Sequence, residues 1–95
     1  MFKHLEVKDG LSNNQVNAIY KDSNGFMWFG TASGLNRYDG YNIKIYRSQK
    51  DDEKSLPDSY VEDIQEDTSG NLWIRTGSGY AIYNSASDVF DRNVE

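Results

Sequence analysis

Apolar residues in this chain fall into short clusters separated by polar turns, and no cluster is long. The stretch "QVNAIYKD" (15–22) carries Val16, Ile19 and Tyr20 and stops at "DSNG". It is followed by "FMWFG" (26–30), "LNRYD" (35–39) after a "TASG" turn, and "YNIKIYR" (41–47). Short runs rich in aromatic and β-branched residues, bounded by Gly, Asn, Asp and Ser, predict strands. The last run alternates, which predicts a half-exposed outer strand with Tyr41, Ile43 and Ile45 turned inward and Asn42 and Lys44 outward. "FMWFG" does not alternate, which predicts a strand covered on both faces. Glycines at 25, 30, 34 and 40 recur too often for a helix of useful length. In the first turn, Asp22 is expected to accept a backbone N–H bond and Gly25 to take a positive φ.

Forty-five residues later the phrase returns: "DSNGFMWFGTASGL" (22–35) is echoed by "DTSGNLWIRTGSGY" (67–80). Without a gap, 57–92 lies over 12–47 with Val16/Val61, Ile19/Ile64, Asp22/Asp67, Gly25/Gly70, Trp28/Trp73, Thr31/Thr76, Ser33/Ser78, Gly34/Gly79, Tyr38/Tyr83 and Arg47/Arg92 identical. Leu11 and Leu56 extend the match. A period of about 40–45 residues per four-stranded unit marks a propeller blade. The expected fold is therefore all-β, with two four-stranded antiparallel β-propeller blades at 11–47 and 57–95. The charged stretch 48–56 joins them as a solvated loop. Residues 1–10, with "FKHLEV" (2–7), are expected to be an outer strand of a preceding blade and its lead-in. Trp28 and Trp73 are assigned to equivalent core positions, and Asp67 and Gly70 to the same turn roles as Asp22 and Gly25.

The pattern Gly-Leu-Ser, Val-x-x-Ile, Asp-x-x-Gly-x-x-Trp-x-Gly-Thr, Gly-Leu-x-Arg-Tyr-Asp in residues 10–39 resembles the two-component regulator propeller repeat. The second copy departs from it at Ser55, Arg75 and Tyr80, where the first has Gly10, Gly30 and Leu35. The resemblance implies the extracytoplasmic, periplasmic sensor region of a hybrid two-component system of the Bacteroidetes type. It implies a parent chain with many blades, a membrane span, a histidine kinase and a response regulator, often with a DNA-binding output. It also implies that glycans or their breakdown products are the sensed ligands, and that other blades of the same parent are partners.

Charge changes the picture by exclusion. A net charge of −5 and a pI near 4.7 argue against a nucleic-acid partner, which needs a basic face. No run approaches the roughly 18 apolar residues of a membrane span, and "MFKHLEVKDG" lacks the apolar core of a signal peptide. On those grounds the chain is expected to be cytoplasmic or a piece of something larger. With no cysteine, disulfides and thiolate metal sites are excluded.

No catalytic constellation is visible. The single histidine, His4, has no kinase motif around it, and "TGSGY" (76–80) is not a nucleophile elbow. "YKDSNG" fails as a calcium loop because Tyr20 occupies the first carboxylate position. The acidic cluster Asp51, Asp52, Glu53 fixes no ligand geometry and reads as solvated loop. No metal and no cofactor are expected, and the fragment is expected to bind rather than catalyse.

Binding candidates sit where the chain enters the inner strand of each blade, in "SNNQ" (12–15) and "PDSY" (57–60). Amides, carboxylates and aromatic rings there suit an oligosaccharide, with Asn13, Asn14, Gln15, Asp58, Ser59 and Tyr60 as contacts. The bland alternative is that the Asx side chains satisfy turn backbone. Arg75, at the end of a buried strand, either reaches solvent or points at an acidic ligand group. An isolated pair of blades is expected to self-associate head to tail through faces lined by Val16, Ile19, Trp28 or their second-copy equivalents. The alternative function is a structural or dimerisation module with no ligand contact in these blades.

Overall fold

The computed structural model describes residues 10–92. The predicted outer strand Phe2–Val7 and His4 lie outside the described residues. Among those described there is no helix, and the strands run β1 (Val16–Lys21), β2 (Met27–Thr31), β3 (Gly34–Tyr38), β4 (Ile43–Tyr46), β5 (Val61–Glu66), β6 (Leu72–Thr76), β7 (Gly79–Asn84) and β8 (Val89–Asp91). They form two antiparallel meanders, β1-β2-β3-β4 and β5-β6-β7-β8, the two propeller blades. The blades approach each other at β1, β2 and β5 and splay toward β4 and β8, so β1 and β5 are the axial strands.

The Asp-x-x-Gly-x-x-Trp phrase is one self-contained hydrogen-bonding unit. Asp22 Oδ1 accepts from the N–H groups of Asn24 and Phe26, both 2.9 Å, while Oδ2 accepts the Trp28 indole N–H at 2.7 Å. Asp67 repeats this with Ser69, Asn71 and Trp73, all at 2.9 Å. Gly25 and Gly70 close the turns at φ 91° and 84°. The next turn has its own device: Thr31 Oγ1 accepts from Ser33 N and donates to Gly34 O, as Thr76 does with Ser78 and Gly79.

The Val-x-x-Ile spacing is wrong for a regular strand, whose faces alternate every second residue. A β-bulge resolves it. The register slips between Val16 and Ala18, and again between Val61 and Asp63. The extra residue turns Val61 and Ile64 to one side, where both reach the Gly30 backbone of blade 1.

Three expectations are corrected. Trp28 and Trp73 hold the same strand position but not the same environment. Trp28 is 1% exposed beneath blade 2, whereas Trp73 is only half-buried, because no described element covers its face. In the outer strand Tyr41 is 91% exposed and lies before β4, and the buried ring is Tyr46, on the Lys44 side of the strand. The third concerns the last hairpin. Tyr38 pairs with Ile43 across residues 39–42, but Tyr83 pairs with Phe90 across 84–89. The ungapped overlay therefore fails there by two residues, and Arg47 and Arg92 are not equivalent. Arg47 donates to Ser33 O, while Arg92 clamps the backbone oxygens of Asp52, Ser55 and Leu56.

The joining loop is also more than solvated chain. Asp51, Asp52 and Glu53 are exposed, but Ser55 and Leu56 are buried, and Lys54 O accepts from Phe90 N of β8.

The core lies in the seam between the blades. The forward face of blade 1 gives Trp28, Leu35 and Tyr46, the joining loop gives Leu56, and the rear face of blade 2 gives Val61, Ile64, Leu72, Ile74, Ala81, Tyr83 and Phe90. Trp28 stacks on Tyr46 at 5.9 Å and meets Tyr83 edge-on at 4.9 Å, and such aromatic pairs add to area burial.

Candidate functional site

The axial end of the blades collects most of the sequence candidates. Gln15 and Tyr60, one repeat apart, meet across the seam: Gln15 Nε2 donates to the Tyr60 hydroxyl at 3.1 Å and to Asn17 Oδ1 at 3.2 Å. Tyr60 keeps 39% of its surface exposed. Asn13 and Asp58 are engaged in turns. Asn13 Oδ1 accepts from Gln15 N and its amide donates to Ser33 Oγ; Asp58 Oδ1 accepts from Tyr60 N and its Oδ2 accepts from Ser78 Oγ. Ser59 Oγ accepts from Ser48 N, and Asn14 is exposed. Gln15, Asn14 and Tyr60 thus form the accessible part of this end, with amide and phenol groups side by side.

Arg75 is placed elsewhere, on the forward face of blade 2. Its Nε donates to Glu62 Oε1 at 3.1 Å, and the side chain is 47% exposed. Hydrogen bonding with Tyr80 and the charge of Glu62 hold the guanidinium still more firmly protonated than usual. A groove of about 300 Å³ runs beside it, lined by Asp63, Gln65, Trp73 and Tyr80. Trp73 and Tyr80 meet edge-on at 6.1 Å. Asp67, at the end of this groove, is held below the usual carboxylate range by the Trp73 indole and by backbone N–H groups of the turn.

A third cluster, in the seam, has no counterpart among the candidates read from the sequence. Asp88 sits in the β7–β8 turn at φ 59° and accepts from Lys44 and from the hydroxyls of Tyr46 and Tyr83, each at 2.6 Å. Arg37 donates to the Tyr83 hydroxyl at 2.8 Å and lies over the rings of Phe26, Trp28 and Tyr46. Burial pushes Asp88 up, but the bonds from Lys44, Tyr46 and Tyr83 outweigh it and hold the carboxyl at about 2. Burial and the hydrogen bond to Asp88 push the Tyr46 hydroxyl well above its ordinary value. Asp88 lies in the turn that is longer by two residues, so a gapless overlay conceals its role. The cluster pins one blade to the other, and a cavity of about 260 Å³ opens beside it between Phe26, Trp28, Arg37 and Glu66.

Comparison with known proteins places these features in a wider setting. A family model described as the two component regulator propeller matches residues 10–33 and 55–78, half of the chain, spanning the axial strand and the Trp hairpin of each blade. Over 56 residues, 59% of the chain, it is 43% identical to Histidine kinase P4 of Formosa agariphila, of which it spans 4%. The extracellular domain of the hybrid two component system BT3049 of B. thetaiotaomicron superimposes with a TM-score of 0.83 at 32% identity, covering 95% of the chain and 13% of that domain. The extracellular domain of BT4673 from the same organism gives 0.72 at 31% identity, over 87% of the chain and 12% of that domain. The chain therefore spans a small fraction of each relative.

Proposed function

Because the chain belongs to the two component regulator propeller family, we propose that its two blades are part of a periplasmic β-propeller that senses a ligand for a hybrid two-component histidine kinase. The ligand class we assign is an oligosaccharide or glycan fragment, and the blades themselves are non-catalytic. Similarity to extracellular domains of two-component systems supports the setting. The observation that carries the ligand class is the meeting of Gln15 and Tyr60 at the axial end, with Asn14 beside them. An amide and a phenol on adjacent blades offer both donors and acceptors to hydroxyls and an aromatic face to a sugar ring.

A second reading has its own support. Asn13 and Asp58 are consumed by bonds within their turns and Ser59 by the bond from Ser48 N of the joining loop, which favours blades that serve as structure while other blades hold the ligand. Calorimetry of the complete propeller region against a glycan panel separates the two. Loss of binding on Gln15→Ala or Tyr60→Ala supports contact here, and unchanged binding moves the site to other blades. Taken alone, the two-blade chain is expected to self-associate through the rear face of blade 1, where Ile19 is 54% exposed. Light scattering over a dilution series measures this, and a monomer throughout refutes it.

A further inference from the structure

We propose that the forward face of blade 2 is closed to any blade built on the pattern of blades 1 and 2. It fits instead a strand that places glycine opposite Arg75 and offers hydrogen-bond donors to Glu62. The residues that seat blade 2 on blade 1 have no working counterparts one repeat later.

Gly30 is a point of close approach in the seam. A Cβ there would lie 2.5 Å from Val61 Cγ1 and 3.2 Å from Val61 Cβ. Val61 is fully buried and β-branched, and rotation about χ1 leaves its Cβ where it is. The strand pairings put Arg75 in the place of Gly30. Its Cβ alone excludes a valine at that distance, before the rest of the side chain is counted.

Asn17 is the second difference. Its amide donates to Val61 O at 2.9 Å, which satisfies a backbone carbonyl in the seam. Its counterpart is Glu62, whose carboxylate only accepts. A carbonyl brought against it would be left without a donor, which is costly in a buried seam. The third difference is in the outer half. Arg37 and Lys44 reach Tyr83 and Asp88 of blade 2, but by strand register their counterparts are Ile82 and Asp91, and neither carries a cation.

Arg75 and Glu62 instead bond each other beside Asp63, Trp73 and Tyr80. A glycine opposite leaves space for the guanidinium, and amide or basic groups on the incoming strand complement Glu62 and Asp63. A second copy of this chain does not meet that requirement, since Val16 would stand where Val61 does. Head-to-tail rings of the unaltered chain are therefore not expected.

The test uses pairs of chains in which only one seam can form. One chain carries Ile19→Asp, which disables its rear face, together with Glu62→Asn and Arg75→Gly. A reference chain carries Ile19→Asp alone, and the labelled partner is the unaltered chain. Circular dichroism melts establish that each variant folds. In sedimentation titrations, the rebuilt face is expected to bind the partner roughly 10- to 100-fold more tightly than the reference does. Replacing Arg75→Gly by Arg75→Ala restores the weak binding, because the Cβ remains. In the converse arm, a partner with Val16→Gly binds the reference chain roughly 10-fold more tightly than the unaltered partner. Equal affinity of the rebuilt and reference faces overturns the proposal, as does an unimproved Val16→Gly partner.

Discussion

Trp28 and Trp73 sit at the same step of the same strand, six residues after the same aspartate, with the same indole hydrogen bond. One is sealed under a neighbouring blade and the other lines an open groove. The hairpin that carries them is shared; what differs is their cross-strand neighbours and the surface laid over them. In this architecture the hairpin decides where a side chain points, and the seam decides what that direction is worth.

The widest gap between the two faces should appear on truncation. Trp28→Ala is expected to cost about 3–5 kcal/mol, as large buried aromatics do, and Trp73→Ala no more than about 1–2 kcal/mol. Urea titration of both variants measures this, and equal losses would erase the distinction between the faces. Next comes the close approach. Gly30→Ala pushes a methyl group into Val61 and should cost about 1–3 kcal/mol, whereas Arg75→Gly, with no blade opposite among the described residues, should cost only the roughly 0.5–1 kcal/mol of added backbone freedom.

The turns should be indifferent to which face is covered. No atom lies within 4 Å of a Cβ built on Gly25 or Gly70, so Gly25→Val and Gly70→Val are charged only for positive φ, about 1–2 kcal/mol each. Asn24→Ala, beside Gly25, should stay within about 0.5 kcal/mol. A large difference between the two glycines in thermal melts would tie the turns to the seam after all.

The last effect concerns acid. Folding lowers the Asp88 carboxyl from its ordinary 3.8 to about 2. Its contribution is therefore complete above about pH 4 and lost as the pH falls through about 2. The melting temperature should fall over that window, and less steeply in Asp88→Asn. Asp39 and Asp67, also lowered, are common to both proteins and cancel in the comparison.

The hairpins were legible because their causes are local. Asp22, Gly25, Thr31 and their second copies find partners within a few residues, so spacing alone reports them. The bulge was implicit in Val16 and Ile19 standing three apart. Trp73 misleads for the opposite reason: its strand position is written nearby, but its burial depends on a surface elsewhere. Tyr46 was missed because β4 has apolar residues on both faces, and alternation could not choose between them. Asp88 was hidden by the longer turn that carries it. At the axial end, residue type identified the polar cluster, but only the geometry separates the turn-bound Asn13 and Asp58 from Gln15 and Tyr60.

The carboxylate that closes each hairpin has a consequence for ancestry. A unit whose polar groups are settled among its own residues can be duplicated in a gene and still fold wherever the copy lands. The two copies bear this out in what they kept and what they let drift. Asp, Gly, Trp and Thr of the hairpin are identical, while Gly30, Asn17 and Arg37 are matched by Arg75, Glu62 and Ile82. Descent by tandem copying is thus free to rewrite each junction separately, so that a row of near-identical units can come to be assembled in only one order.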